Sequence, residues 1–120
     1  MGEIRFYEGP EATLHCIGRL SSEVSQQYDL SLISAPVPNQ QTNSCTLIGV
    51  QPGTKIRLYD HAKPHDDEEC AEITVRAFVE NKVVPFLNAA SSDPEVDVKL
   101  RRGQGVQGKV ARIEIVSAGS

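Results

Sequence analysis

Glu3-Ile4-Arg5-Phe6-Tyr7-Glu8 near the start of the chain returns in its middle as Lys55-Ile56-Arg57-Leu58-Tyr59-Asp60. No other feature constrains the fold as tightly, because an internal duplication turns a series of segments into copies of one unit. Each copy is followed, after a variable stretch, by a short apolar segment of similar cast: Thr46-Leu47-Ile48-Gly49-Val50 in the first half, Ala111-Arg112-Ile113-Glu114-Ile115 in the second. Between the halves stands Gln51-Pro52-Gly53. Pro presets the first central angle of a type II turn and Gly supplies its positive φ, so the linker is minimal. The reading is one domain, with repeat one at 3–50 and repeat two at 54–116.

Strand patterning dominates both copies. In copy one, residues 14–20 and 28–33 read as the second and third strands, the latter with Leu30 and Leu32 on one face. In copy two, Ala71, Ile73, Val75 and Ala77 alternate with Glu72, Thr74 and Arg76, and Val96, Val98 and Leu100 alternate with Glu95, Asp97 and Lys99. Period two of this kind marks half-buried strands. Pro85 argues against a central strand in 83–87, which reads as an extended edge segment followed by a loop. No window sustains a helical stripe across three turns; Ser21 to Gln27 predicts one short helical turn capped by Ser21 or Ser22. Eight strands in two copies of four predict an all-β, antiparallel β-sandwich.

Composition supports this. Aromatics are 5% with no Trp, so the core must come from Ile, Val and Leu, which suit strands. A net charge of −4 argues against nucleic-acid or anionic-membrane partners. The one adjacent basic pair, Arg101-Arg102, reads as a solvated strand end. The charged first residues, without an apolar leader, predict a cytoplasmic protein as written, or a secreted one if a signal peptide was removed. Cys16, Cys45 and Cys70 are odd in number and lack metal-ligand spacing, so they predict reduced thiols, most of them buried.

Four strands per copy, each copy opening on Ile-Arg-(Phe/Leu)-Tyr-acid and closing on a strand such as Lys109 to Ile115, resemble the βγ-crystallin superfamily. The resemblance implies two Greek-key motifs packed as a sandwich. It departs from the family pattern at the opening hairpin: Gly9 sits two residues after Tyr7, and no Gly follows Tyr59 before the second strand. Microbial members bind calcium through two Asn/Asp residues, two variable ones, then Ser/Thr and Ser. Copy one would supply Thr42 and Asn43, then Ser44 and Cys45, then Thr46 and Leu47. Copy two would supply Gln107 and Gly108, then Lys109 and Val110, then Ala111 and Arg112. Calcium wants six to eight oxygens, and Gly108, Ala111 and Arg112 offer none from side chains. The resemblance therefore implies one weak calcium site at most, joining Asn43 and Thr46 to the Asp60–His61 region.

The densest polar run lies in 60–69. Asp60, His61, His65, Asp66 and Asp67 there combine imidazole and carboxylate, the donors a metal favours. An acidic loop left to solvent is the alternative, and Pro64 suits its turn. Catalytic signatures are missing: there is no G-x-S-x-G, H-E-x-x-H or phosphate loop. His15 and Cys16 are neighbours, but successive strand residues face opposite ways unless a bulge intervenes. Tyr7 and Tyr59 are expected to close the sheet ends with packed rings. The chain is thus expected to be a noncatalytic binding or structural domain of the stress type. The alternative is an inhibitor- or toxin-like module docking on a protein partner through loops 34–44 and 78–94, as a monomer or weak homodimer.

Overall fold

The computed structural model describes residues 2–30, 37, 41–60, 70–85, 87, 90–101 and 110–118. They form ten strands: β1 (Glu3–Tyr7), β2 (Cys16–Ser21), β3 (Gln26–Asp29), β4 (Ser44–Val50), β5 (Lys55–Tyr59), β6 (Cys70–Val75), β7 (Val79–Val84), β8 (Ser91–Ser92), β9 (Val96–Arg101) and β10 (Arg112–Val116). The architecture is all-β. Two sheets, ordered β2-β1-β4-β7 and β3-β10-β5-β6-β9-β8, hold these strands. Every pairing is antiparallel. Among the described residues no helix is long and apolar enough to cross a membrane.

One apolar core lies between the sheets. Ile4, Phe6, Cys45, Leu47 and Val84 come from the first, and Ile56, Leu58, Ile73, Val98, Ile113 and Ile115 from the second, all of them buried. The alternation that places them inside leaves their neighbours on the two outer faces. Fully burying an aliphatic side chain of this size contributes about 1.5–3 kcal/mol, so this shared layer holds the sheets together.

The two openers meet the two closing strands in the same register. Ile4 faces Leu47, Arg5 faces Thr46 and Tyr7 faces Ser44. Likewise Ile56 faces Ile115, Arg57 faces Glu114 and Tyr59 faces Arg112. Ser44 therefore matches Arg112, and Thr46 matches Glu114. The closing strands correspond three residues away from the sequence alignment, which set Thr46 against Ala111.

Other expectations are corrected by pairing. The second strand starts at Cys16 rather than 14, because Leu14 has φ +62° and ends a tight turn. Between Phe6 and Tyr7 the β1–β2 register slips by one residue. Residues 21–27 hold no helix. Ser21 Oγ accepts a hydrogen bond from the Glu23 amide at 3.1 Å in a turn, and Gln26–Gln27 already belong to β3. The third strand thus starts two residues before the expected 28.

In copy two the expected loop 78–94 contains β7 and β8. β7 forms an edge of the first sheet and stops just before Pro85, as the ring's missing N–H requires. Gly53, at φ +95°, and a bond from the Thr54 amide to the Gln51 carbonyl at 3.4 Å make the expected linker turn.

Candidate functional site

Of the residues expected to bind a metal, Asn43, Thr46 and Asp60 lie among the described residues; His61, His65, Asp66 and Asp67 lie outside them. Asn43 is committed to the first hairpin: its backbone amide donates to the Tyr7 carbonyl at 2.9 Å and its side-chain amide to the Glu8 carbonyl. Thr46 sits mid-strand on the outer face of the first sheet, between Arg5 and Val83 in register. It is 4% exposed, and its hydroxyl has no hydrogen-bond partner among the described residues. Asp60 follows β5, in the other sheet. No group of three or more His, Cys, Asp or Glu among the described residues could hold a metal. On the copy-two side, the Arg112 cation stands opposite Tyr59, a neighbour that calcium does not favour.

Equivalent backbone contacts produce different chemistry at the two tyrosine ends. The Asn43 amide donates to the Tyr7 carbonyl at 2.9 Å, and the Ala111 amide donates to the Tyr59 carbonyl at 2.8 Å. In the first end, buried Ser44 is a clasp. Its hydroxyl donates to the Gly9 carbonyl at 2.6 Å and accepts from the Ala12 amide at 2.8 Å. The Glu11 amide adds a bond to the Pro85 carbonyl at 2.9 Å. These contacts hold Glu11, Ala12 and Leu14 at φ +57°, +58° and +62°, a region costly for residues with a Cβ. Gly9 is required there, because a Cβ would collide with Thr13 and press on Leu14.

In the second end, Arg112 takes the serine's place. Its guanidinium carbon lies 3.9 Å from the Tyr59 ring centroid. Arg112, Tyr59 and Cys70 share one row on the outer face of the second sheet. All three are nevertheless buried. Burial first, then the neighbouring Cys70 and Glu114, raises the Tyr59 hydroxyl above its ordinary pKa. Nothing in the sequence showed that this row is covered, since alternation predicts a face and not what lies over it.

The thiols divide by environment. All three are free, with Cys45 and Cys70 buried and Cys16 exposed. Burial pushes the Cys45 thiol up to about 12, which leaves it an inert core group. Cys16 donates to the Gly18 carbonyl at 3.7 Å. The His15 carbonyl accepts the Glu8 amide at 3.0 Å and closes the hairpin.

The outer faces differ in charge. Across the second sheet one row reads Gln27, Glu114, Arg57, Glu72, Lys99. Arg57 bridges both carboxylates, at 2.7 Å to Glu72 and 2.9 Å to Glu114, and Gln27 adds a bond to Glu114 at 3.1 Å. The hydrogen bonds from Glu72 and then Glu114 raise the Arg57 pKa further above its ordinary value. The matching row of the first sheet reads Val83, Thr46, Arg5, Arg19. Here Arg5 pairs only along its own strand, with Glu3 at 2.5 Å.

At the other edge of the first sheet, Lys82 reaches Asp93 at 3.0 Å and Glu95 at 3.2 Å, tying β7 to the β8–β9 turn. A crevice of about 310 Å³ lies there, lined by Val83, Pro85, Val96 and Val98 among others. In comparisons with known proteins, no family model, curated protein or solved structure matches this chain.

Proposed function

We propose that this chain is a noncatalytic βγ-crystallin-like domain, built of two Greek-key motifs at 3–50 and 54–116, whose work is structural or in binding. One observation carries the reading. The first sheet consists of the second, first and last strands of copy one plus β7 of copy two. The run β6-β5-β10-β3 in the second sheet consists of the second, first and last strands of copy two plus β3 of copy one. Each copy thus lends one strand to the other's sheet, which interlocks the two copies. The β8–β9 hairpin extends the second sheet beyond β6 as an addition to copy two. The clasped hairpin at Ser44 and the inert Cys45 suit a durable scaffold better than a catalytic centre.

This reading takes no calcium step, because no group of three or more His, Cys, Asp or Glu among the described residues could hold a metal. Thermal unfolding tests it. The expected result is one cooperative transition whose midpoint is the same in millimolar calcium and in chelator, because a ligand of the native state must raise the midpoint. Separately produced halves, cut in the Pro52-Gly53 turn, are expected to be unfolded alone and to regain the native spectrum when mixed. A half that folds cooperatively by itself overturns the interlocked reading, and a calcium-dependent rise of several degrees overturns the metal-free one.

A further inference from the structure

Arg5 and Arg57 occupy the same place in two near-identical openers, but only Arg57 has carboxylates on both neighbouring strands. Beside Arg5 stands Arg19, directly opposite in register, on the edge strand β2. Like charges facing each other across a pair of strands destabilise it. No carboxylate pairs with Arg19 among the described residues, and its side chain is exposed. Glu3 engages Arg5 through Nε and the Tyr7 side chain shares the same guanidinium, which has five N–H donors and so keeps some for a further acceptor. On the far side of Arg5, in the same row, Thr46 carries a hydroxyl that is buried and has no partner among the described residues. Arg19 also borders a surface depression of about 410 Å³ with Ser21, Ile48, Glu3 and Glu23, whose carboxylates set its acidic rim.

The geometry points to an oxyanion site on the outer face of the first sheet: a phosphoryl or sulfuryl group held between Arg5 and Arg19, with the Thr46 hydroxyl as a neutral donor beside Arg5. Two guanidinium forks match the oxygen spacing of such a group. The bound anion supplies the charge that Glu72 and Glu114 supply on the opposite face. The net charge of −4 opposes general attraction of anions, so occupancy depends on these local donors.

The test compares thermal midpoints in sodium phosphate, sodium sulfate and sodium chloride at one ionic strength. The wild-type chain is expected to melt higher in phosphate, by about 5 °C at tenfold saturation, with the response levelling off. Sulfate and phosphate also stabilise folded chains by exclusion from the surface. A sulfate rise that saturates and is lost in Arg19→Gln therefore assigns a general tetrahedral oxyanion site, and such a rise in phosphate alone assigns a phosphoryl-selective one. Arg5→Gln and Arg19→Gln are each expected to abolish the difference between phosphate and chloride, while Lys99→Gln on the opposite face preserves it. Thr46→Val is expected to move half-saturation to at least threefold higher phosphate. Equal midpoints in the three salts, or a phosphate effect that survives Arg19→Gln, overturns the site.

Discussion

Arg5 and Arg57 begin from the same sequence context, Ile-Arg-x-Tyr, and end in opposite electrostatic situations. Arg57 is the middle of a charge-alternating row, bonded to Glu72 and Glu114 on its two neighbouring strands. Arg5 has Arg19 on one side and Thr46 on the other. The difference teaches that a repeated opener fixes where a side chain stands but not what meets it. The partner residues come from strands whose sequences diverged.

The same lesson holds at the tyrosine ends, where Ser44 clasps a hairpin and Arg112 stacks on Tyr59. Replacing the clasp gives the largest expected effect. Ser44→Ala leaves the Ala12 amide and the Gly9 carbonyl without their partner, at a cost of about 1–3 kcal/mol. The cost reaches the upper end if the left-handed conformations at Glu11, Ala12 and Leu14 depend on that hydroxyl. Denaturant unfolding measures it. A loss below about 0.5 kcal/mol would show that the Glu11–Pro85 and Asn43–Glu8 bonds hold the hairpin without the serine.

The arginine contrast is sharper as a pair of variants. Arg57→Ala leaves Glu72 and Glu114 facing one another across a half-buried strand, and about 1–2 kcal/mol of stability is expected to go. Arg5→Ala removes a solvent-screened pair and relieves a like-charge contact, so its effect is expected to be much smaller than that of Arg57→Ala. Equal losses would break the comparison, because they would mean that neighbouring charge is not what separates the two sites. A smaller effect of opposite sign comes from Arg19→Glu, which copies onto β2 the charge Glu72 provides on β6. In salt-free buffer it is expected to stabilise the chain by about 0.2–1 kcal/mol, fading as salt is added.

Much of this fold was legible because repetition and period two both report on buried faces. The openers, the Pro52-Gly53 turn and the alternating segment at 96–100 stand where the residues put them, and the alternation at 71–77 holds as strand as far as Val75. What escaped was set by hydrogen-bond register or by cover. Thr46 and Ala111 look alike as first residues of apolar closers, yet only pairing with Arg5 and Arg57 shows that Thr46 answers to Glu114. β3 is missed at its start because Gln26 and Gln27 carry no apolar signal, lying at a sheet edge against Ile115 and Glu114. The hairpin after β1 hides its turn because Glu11, Ala12 and Leu14 adopt positive φ without glycine. Of the expected metal ligands, Asn43 was singled out for its side-chain oxygen, whereas the structure uses its amide nitrogens to hold backbone carbonyls.

The weakest effect concerns the ionic tie between the sheets. Asp93 accepts from the Val96 and Glu95 amides at 2.8 Å each and pairs with Lys82 at 3.0 Å. The Val96 amide first, then Lys82, hold its carboxyl below the ordinary aspartate range. A group whose pKa is lower in the folded chain stabilises it fully above the unfolded value near 3.8. That contribution falls away as pH drops through the folded value. Because Lys82 and Asp93 both contact solvent, the loss is modest and screened by salt. Stability measured from pH 6 down to pH 2 is expected to decline less in Asp93→Asn than in the wild-type chain. The amide oxygen still caps the two amides but cannot titrate. Identical pH profiles would place the acid sensitivity elsewhere, and would reduce the bridge between β7 and the β8–β9 turn to a contact without energetic weight.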